Sequence, residues 1–428
     1  MKTEIKTSID GLEVGMYVSR LDRPWIKTPF ALQGLNIKSA DDIEKIRKYC
    51  KYVYVDVEKG SSPEPCFWVL RQAQRNNNHP QKAPSRTKSA NTHLASDEFT
   101  RVKKINHTTT TRFEPELETA NNIYKEITDD LAQVMPWTKL GKDLDIETLK
   151  QGISIMTESI IRNPAAMMWV ISLRKADDHT YSRSLGTSVW CATFGRHLGL
   201  EKSSLEALAL GGLLLDIGKS KLPKKLLQKK GPLNPEEKQQ MDMHVDLGVK
   251  ILADSQNAHA GEKIPNEVLK MIATHHERAD GSGYPQCLVN NEIPLFGRIA
   301  GIVDSYDAMT SQCPYMKRDP LTPHEAIAEL YELRDRDFQT ELIEQFIQAV
   351  GLYPTGTLVE LSTGEVGAVI AVNGLKRLRP SIIVLLDENK ELLSKFVPMD
   401  LSQTSEDITI TRGLTSGAYG INMSELFL

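Results

Sequence analysis

The spacing of apolar residues changes three times along the chain. Near the start, "GMYVSRL" and "KYVYVDV" alternate apolar and polar positions, as half-buried strands do. Between them, "SADDIEKIRKYC" sets Ile43, Ile46 and Cys50 along one helical face. Ser39 stands at its N-cap with Asp42 three residues on, which predicts a capping box. Residues 1–60 therefore read as a small α+β module.

The periodicity dissolves over residues 61–114, in "QRNNNHPQKAPSRTKSANTH" and "NHTTTTRF". Between Arg71 and Arg112, nine Lys/Arg stand against two acids. This composition predicts a polar, partly disordered linker, with a weak site for an anionic partner as the lesser reading. "CFWVLRQAQ" inside it reads as a short element that docks on a neighbour.

From 115 to 350 the spacing is helical, in "ALALGGLLLDIG", "PNEVLKMIATHHE", "GRIAGIVDSYDAMTS" and "PHEAIAELYEL". Pro265 and Pro323 sit at helix starts, where proline costs least. Residues 351–428 turn to strands, "TLVEL", "GEVGAVIAV" and "SIIVLLD", split at Asn373-Gly374 and Asp387-Glu388-Asn389. The expected fold is mainly α: a helical bundle with a small N-terminal α+β module and a strand-rich C-terminal appendix.

Composition narrows the function classes. The 428 residues are 40% hydrophobic and 25% charged, with a net charge of −4, so no global field draws a nucleic acid polymer or an anionic membrane. "MKTEIKTSID" lacks the apolar core of a signal peptide, and no apolar run is long enough to span a bilayer. The scattered cysteines, Cys50, Cys66, Cys191, Cys287 and Cys313, suggest reduced thiols and a cytoplasmic location.

Candidate chemistry gathers at the ends of the apolar helices: His179, Arg183, Asp216, Lys219, His244, His275, His276, Glu277, Asp280, Asp304 and Asp307. Asp216 ends a helix that is apolar on nearly every side, and Asp304 lies among Ile299, Ile302, Val303 and Met309. A carboxylate in such a place must be paired, protonated or metal-bound. Adjacent side chains on a helix point about 100° apart. His275 and His276 therefore share a site only if it is large, such as a polynuclear centre or a metal plus substrate. Taken singly, His244 and Asp304 specify nothing, and a His pair does not discriminate zinc, iron and manganese. Their order on successive helices is what points to a metal held inside a bundle.

"HHERADGSGYP" resembles the hallmark of the HD-GYP family, a branch of the HD superfamily of metal-dependent phosphohydrolases. "LLLDIGKSKLP", "GPLNPEEKQQMDMHVDLG" and "RIAGIVDSYDAMTSQCPY" extend the likeness over about 165–345. "VGMYVSRLDRPWIKTPFALQG" resembles an uncharacterised domain that precedes HD-GYP domains in many bacterial proteins. The resemblance implies a helical HD-type bundle that binds two or three ions, iron or manganese, and hydrolyses cyclic di-GMP in bacterial second-messenger signalling. It makes Asp216 and Lys219 catalytic, with Asp216, His244, His275, His276 and Asp304 as metal ligands. Asp280, Gly281, Gly283, Tyr284 and Pro285 form the loop at the substrate mouth.

Four positions depart from the family pattern. Leu215 replaces the histidine of the HD pair, and Arg183 stands where an earlier ligand histidine is expected. Cys313 and Met316 replace an arginine and a lysine that contact substrate phosphate, with Lys317 as a partial substitute. One metal position then keeps only Asp216 and Asp304, and the centre is expected to hold one divalent ion. A guanidinium from Arg183, paired with Asp216 and Asp304, would balance the charge. Hydrolysis is expected to be weak or lost. Two further readings stand beside this: a fully active phosphodiesterase with a reduced metal set, and a non-catalytic cyclic di-GMP-binding or protein-interaction module. A plain structural bundle leaves Asp216 and Asp304 unexplained. Expected partners are cyclic di-GMP, GGDEF-type diguanylate cyclases through the GYP loop, and a second copy of the chain.

Overall fold

The computed structural model describes residues 4–23, 28, 30, 34–57, 59–61, 104–139, 144–174, 181–258, 263–311, 319–373, 376 and 378–427. Most of the expected linker, "CFWVLRQAQ", His179, Cys313, Met316 and Lys317 lie outside these residues. The chain divides into two compact units, Met1–Thr92 and His93–Leu428.

In the first unit, β1 (Glu4–Ser8), β2 (Tyr17–Leu21), β3 (Leu35–Asn36) and β4 (Tyr52–Asp56) form an antiparallel sheet in the order β1-β4-β2-β3. Helix α1 (Ala40–Tyr49) carries the expected capping box: the Asp42 backbone N–H donates to the Ser39 hydroxyl, and Asp42 accepts from the Ser39 N–H. Met16, Val18, Ile37, Ile46, Val53 and Val55 are fully buried and make its core.

The second unit is mainly helical. It runs through α2 (Phe113–Lys139), α3 (Ile146–Arg162), α4 (Pro164–Arg174), α5 (Ser182–Leu198) and α6 (Lys202–Leu214). A 3-10 turn, Ile217–Lys221, and short α7 (Lys224–Leu227) lead to α8 (Pro235–Asp242), α9 (His244–Ala258) and α10 (Asn266–Thr274). Helices α11 (Leu295–Thr310), α12 (Pro323–Glu332) and α13 (Thr340–Val350) complete the bundle. Helix α5 is buried on nearly every side and packs against α6 and α11. A helix buried on nearly every side belongs at the centre of a bundle. Gly212 lets α6 close on it, since a Cβ there would lie 2.9 Å from the Ser188 Cα.

Helix α6 is apolar to its last turn and stops at Leu214, after which Leu215 keeps a helical backbone and Asp216 leaves it. The chain tightens into the 3-10 turn and packs on α9. Gly218 makes that approach possible, because a Cβ at this position would collide with the His244 carbonyl. The turn thus fixes Asp216 and Lys219 beside the start of α9.

The C-terminal strands β5 (Leu358–Leu361), β6 (Val366–Ala371) and β7 (Ser381–Leu386) fall where the β-branched runs predict them. β8 (Leu392–Asp400) and β9 (Ile410–Leu414) complete an antiparallel sheet ordered β8-β7-β6-β5-β9. The sequence pattern missed these two. Both are edge strands, and β8 is largely exposed, so neither carries the buried stripe that alternation detects. Trp169 and Leu173 of α4 pack with Leu358, Val366, Ala368, Leu385 and Leu386, which joins sheet and bundle through one core. Trp169 is 1% exposed, so Trp169→Ala should destabilise this unit by about 3–5 kcal/mol. Thermal or denaturant unfolding checks this, and an unchanged melt would refute the shared core.

Candidate metal centre

Three histidines converge from two helix junctions. His244 opens α9 directly after α8, and His275 and His276 follow the last residue of α10. Their ligand-capable atoms lie within 4.8 Å of one another. Both buried rings are oriented by the backbone. His244 Nδ1 lies 2.7 Å from the Met241 carbonyl oxygen, and His275 Nδ1 lies 2.7 Å from that of Ile272. A carbonyl only accepts, so each Nδ1 carries the proton and donates it. Each Nε2 is then a bare lone pair, buried and without a hydrogen bond among the described residues. That arrangement leaves two donor atoms ready for a cation.

The carboxylates surround this cluster. Asp216 Oδ1 is 3.4 Å from His244 Nε2, and its Oδ2 accepts from Lys219 Nζ at 2.6 Å. Burial pulls the Asp216 carboxyl upward, but Lys219, His244, Arg183 and His275 outweigh it and hold the group well below the ordinary carboxylate range. Asp304 and Asp307 sit one turn apart on α11. Arg183, from the first turn of α5, reaches both: its Nη2 lies 3.4 Å from Asp304 Oδ1 and its Nε 3.0 Å from Asp307 Oδ2. The expected guanidinium pairing thus holds for Asp304. Arg183 also lies against Asp307, and its charge acts on Asp216, which has Lys219 and His244 close beside it. Leu215 is 2% exposed and belongs to the apolar core behind Asp216.

The GYP loop closes one side. Tyr284 stacks on His276 with ring centroids 4.6 Å apart and planes 23° from parallel. Burial, then Asp242, push the Tyr284 phenol upward, which keeps it protonated. Glu277 is buried and accepts from the backbone N–H groups of Gln286 at 2.7 Å and Leu288 at 2.9 Å, so it fixes the loop from beneath. Gly283 crosses so close to Glu277 and Arg278 that any side chain there would collide with backbone. Gly281 has a φ of +79°, which glycine adopts without strain. Asp280 faces solvent and accepts from the Ser282 N–H at 2.9 Å, and Pro285 is also exposed. Both shape the loop and lie outside the histidine cluster.

The structure therefore brings together Arg183, Asp216, Lys219, His244, His275, His276, Asp304 and Tyr284. Sequence reasoning named Asp307 and Glu277 without giving them roles. The three-residue step from Asp304 to Asp307 was the available signal, because it puts both on one helix face. The carbonyl partners of His244 and His275 left no trace in side-chain identity.

Residues 166–342, within the helical unit, match an HD domain. Residues 4–149 match a domain of unknown function (DUF3391), and 358–416 match a KOW domain associated with HD domains. A cyclic di-GMP phosphodiesterase of Pseudomonas aeruginosa is 27% identical over 397 residues, 92% of this chain and 88% of that protein. A cyclic di-GMP phosphodiesterase of Thermotoga maritima is 34% identical over 41% of this chain and 45% of its own length. A 3'3'-cGAMP-specific phosphodiesterase of Vibrio cholerae is 33% identical over 38% of this chain and 30% of its own length. Residues 166–342 thus carry an HD domain with an HD-GYP-type "HHERADGSGYP" block, similar to these phosphodiesterases. HD-domain phosphohydrolases are metal-dependent, and the oriented rings and bare Nε2 atoms of His244 and His275, with His276 beside them, fit a divalent ion.

The same rings set the pH response of the metal-free protein. Burial lowers the pKa of all three, and His275 falls from 6.5 to about 4 against the pull of Asp304 and Asp216. Below pH 6.5 the unfolded chain takes up a proton that folded His275 refuses until about pH 4. Stability should therefore be complete above pH 6.5 and fall as the pH drops toward 4. Melting curves in chelator across this window, with His275→Gln flattening the slope, check the sign. A flat wild-type profile would contradict it.

Proposed function

We propose that this chain binds cyclic di-GMP at a one-metal HD-GYP centre and hydrolyses it weakly or not at all, in bacterial second-messenger signalling. The observation that carries the reading is the histidine triad, in which His244 and His275 keep bare Nε2 atoms near Asp216, while Arg183 lies against Asp304 and Asp307 and Leu215 offers no ligand atom. His244, His275 and His276 would hold the ion, iron or manganese, with Asp216 beside them. When bound there, it supplies Lewis-acid stabilisation of phosphoryl charge. Lys219 holds an ammonium at the edge of the centre, where it complements a phosphodiester. Tyr284, stacked on His276, walls the mouth and limits water. An in-line displacement at phosphorus is served best by two ions, one at the attacking and one at the leaving oxygen. Losing one costs on the order of 100-fold or more in rate.

A second reading has its own support. The outer side of the GYP loop exposes Ser282, Pro285, Gln286 and Cys287, while Glu277 holds the inner side rigid. A stiff exposed loop loses little entropy on docking. It suits a protein partner such as a GGDEF-type diguanylate cyclase, whether or not the nucleotide is cleaved.

The test uses full-length protein loaded anaerobically with Mn²⁺ or Fe²⁺. Cyclic di-GMP binding is measured by calorimetry and turnover by chromatography. We expect saturable binding, with turnover on the order of 100-fold below that of a two-metal relative assayed alongside. Comparable turnover, abolished by Asp304→Ala, would instead make the protein an active enzyme. Failure to bind the dinucleotide would sink the substrate assignment.

A further inference from the structure

We propose that Arg183 is a resident cation, whose guanidinium stands where a second divalent ion would have to sit and so limits the centre to one ion. Asp304 and Asp307 lie one turn apart, and their side chains are 14% and 4% exposed. Two carboxylates that close, with so little water between them, repel unless a cation lies against both. Arg183 supplies it, at 3.4 Å and 3.0 Å, from a helix packed directly on α11. Its own side chain is 34% exposed, so the guanidinium sits at the wall of the site rather than in the deep core.

Charge accounting gives the same answer. The centre holds three carboxylates, Asp216, Asp304 and Asp307, and two side-chain cations, Lys219 and Arg183. One negative charge is left uncompensated, beside three imidazoles that offer lone pairs without charge. One divalent ion more than cancels that surplus. A second would leave the partly buried centre strongly positive unless Arg183 withdrew. A guanidinium cannot shed its proton to make room. It also accepts no lone pair, so it balances the carboxylates without offering a coordination position. On the neighbouring side, Leu215 is closed to water and presents no ligand atom.

The idea deepens the one-ion reading above, but its test reads metal content and stability and needs no nucleotide. Full-length protein is loaded with Mn²⁺, desalted and analysed for metal per chain. We expect about one ion in wild type and about two in Arg183→His combined with Leu215→His. Two ions in wild type, or no gain in the double variant, would overturn the proposal. Metal-free Arg183→Gln gives a second reading if the double variant fails to fold. It should melt below wild type and gain more than wild type from Mn²⁺, while Arg183→Lys stays close to wild type. An equal Mn²⁺ response in Arg183→Gln and wild type would also overturn it. Lost nucleotide binding with these metal results intact would count against the function proposed above and leave Arg183's role standing.

Discussion

Two hydrogen bonds from imidazole to backbone carbonyl decide what this centre can do. The last turn of a helix leaves carbonyls without intrahelical partners. Here the Met241 and Ile272 carbonyls, near the ends of α8 and α10, accept from His244 and His275. The same contact orients each ring, fixes its tautomer and turns the bare Nε2 inward. Gly218 matters for the same reason: it lets the turn carrying Asp216 and Lys219 lie against the His244 backbone. Helix ends, rather than helix faces, build the site, and the packing of α9 and α10 holds them together.

Around that fixed core the charges are arranged asymmetrically. On the histidine side, neutral donors and one carboxylate face a common point. On the α5 and α11 side, one guanidinium lies against two carboxylates, and Leu215 is buried. Lys219 gives Asp216 a permanent partner, so that carboxylate stays ionised whether or not an ion is present. The GYP loop is held from beneath by Glu277, through backbone contacts that involve neither Arg183 nor Leu215.

Much of this was legible in the sequence, for identifiable reasons. The capping box at Ser39 and Asp42, the apolar helices and strands β5 to β7 follow from periodicity and cap chemistry. Strands β8 and β9 did not, because edge strands have no continuous buried face. At the site, the identities of His244, His275, His276, Asp216 and Asp304 were readable as unusual polar residues among apolar ones. The full set of partners was not: Arg183 was expected against Asp216 and Asp304, and Asp307 joins them as a carboxylate it lies against. Helical spacing left this open, and only the packing of α5 on α11 decides it.

The central claim is that one ion belongs to the histidines and that Arg183 holds the other side. Anomalous X-ray scattering at the manganese edge, from crystals grown with Mn²⁺, tests it most directly. The account predicts a single peak among His244, His275 and His276, with the Arg183 guanidinium between Asp304 and Asp307. Two peaks flanking Asp216, with Arg183 displaced into solvent, would contradict it.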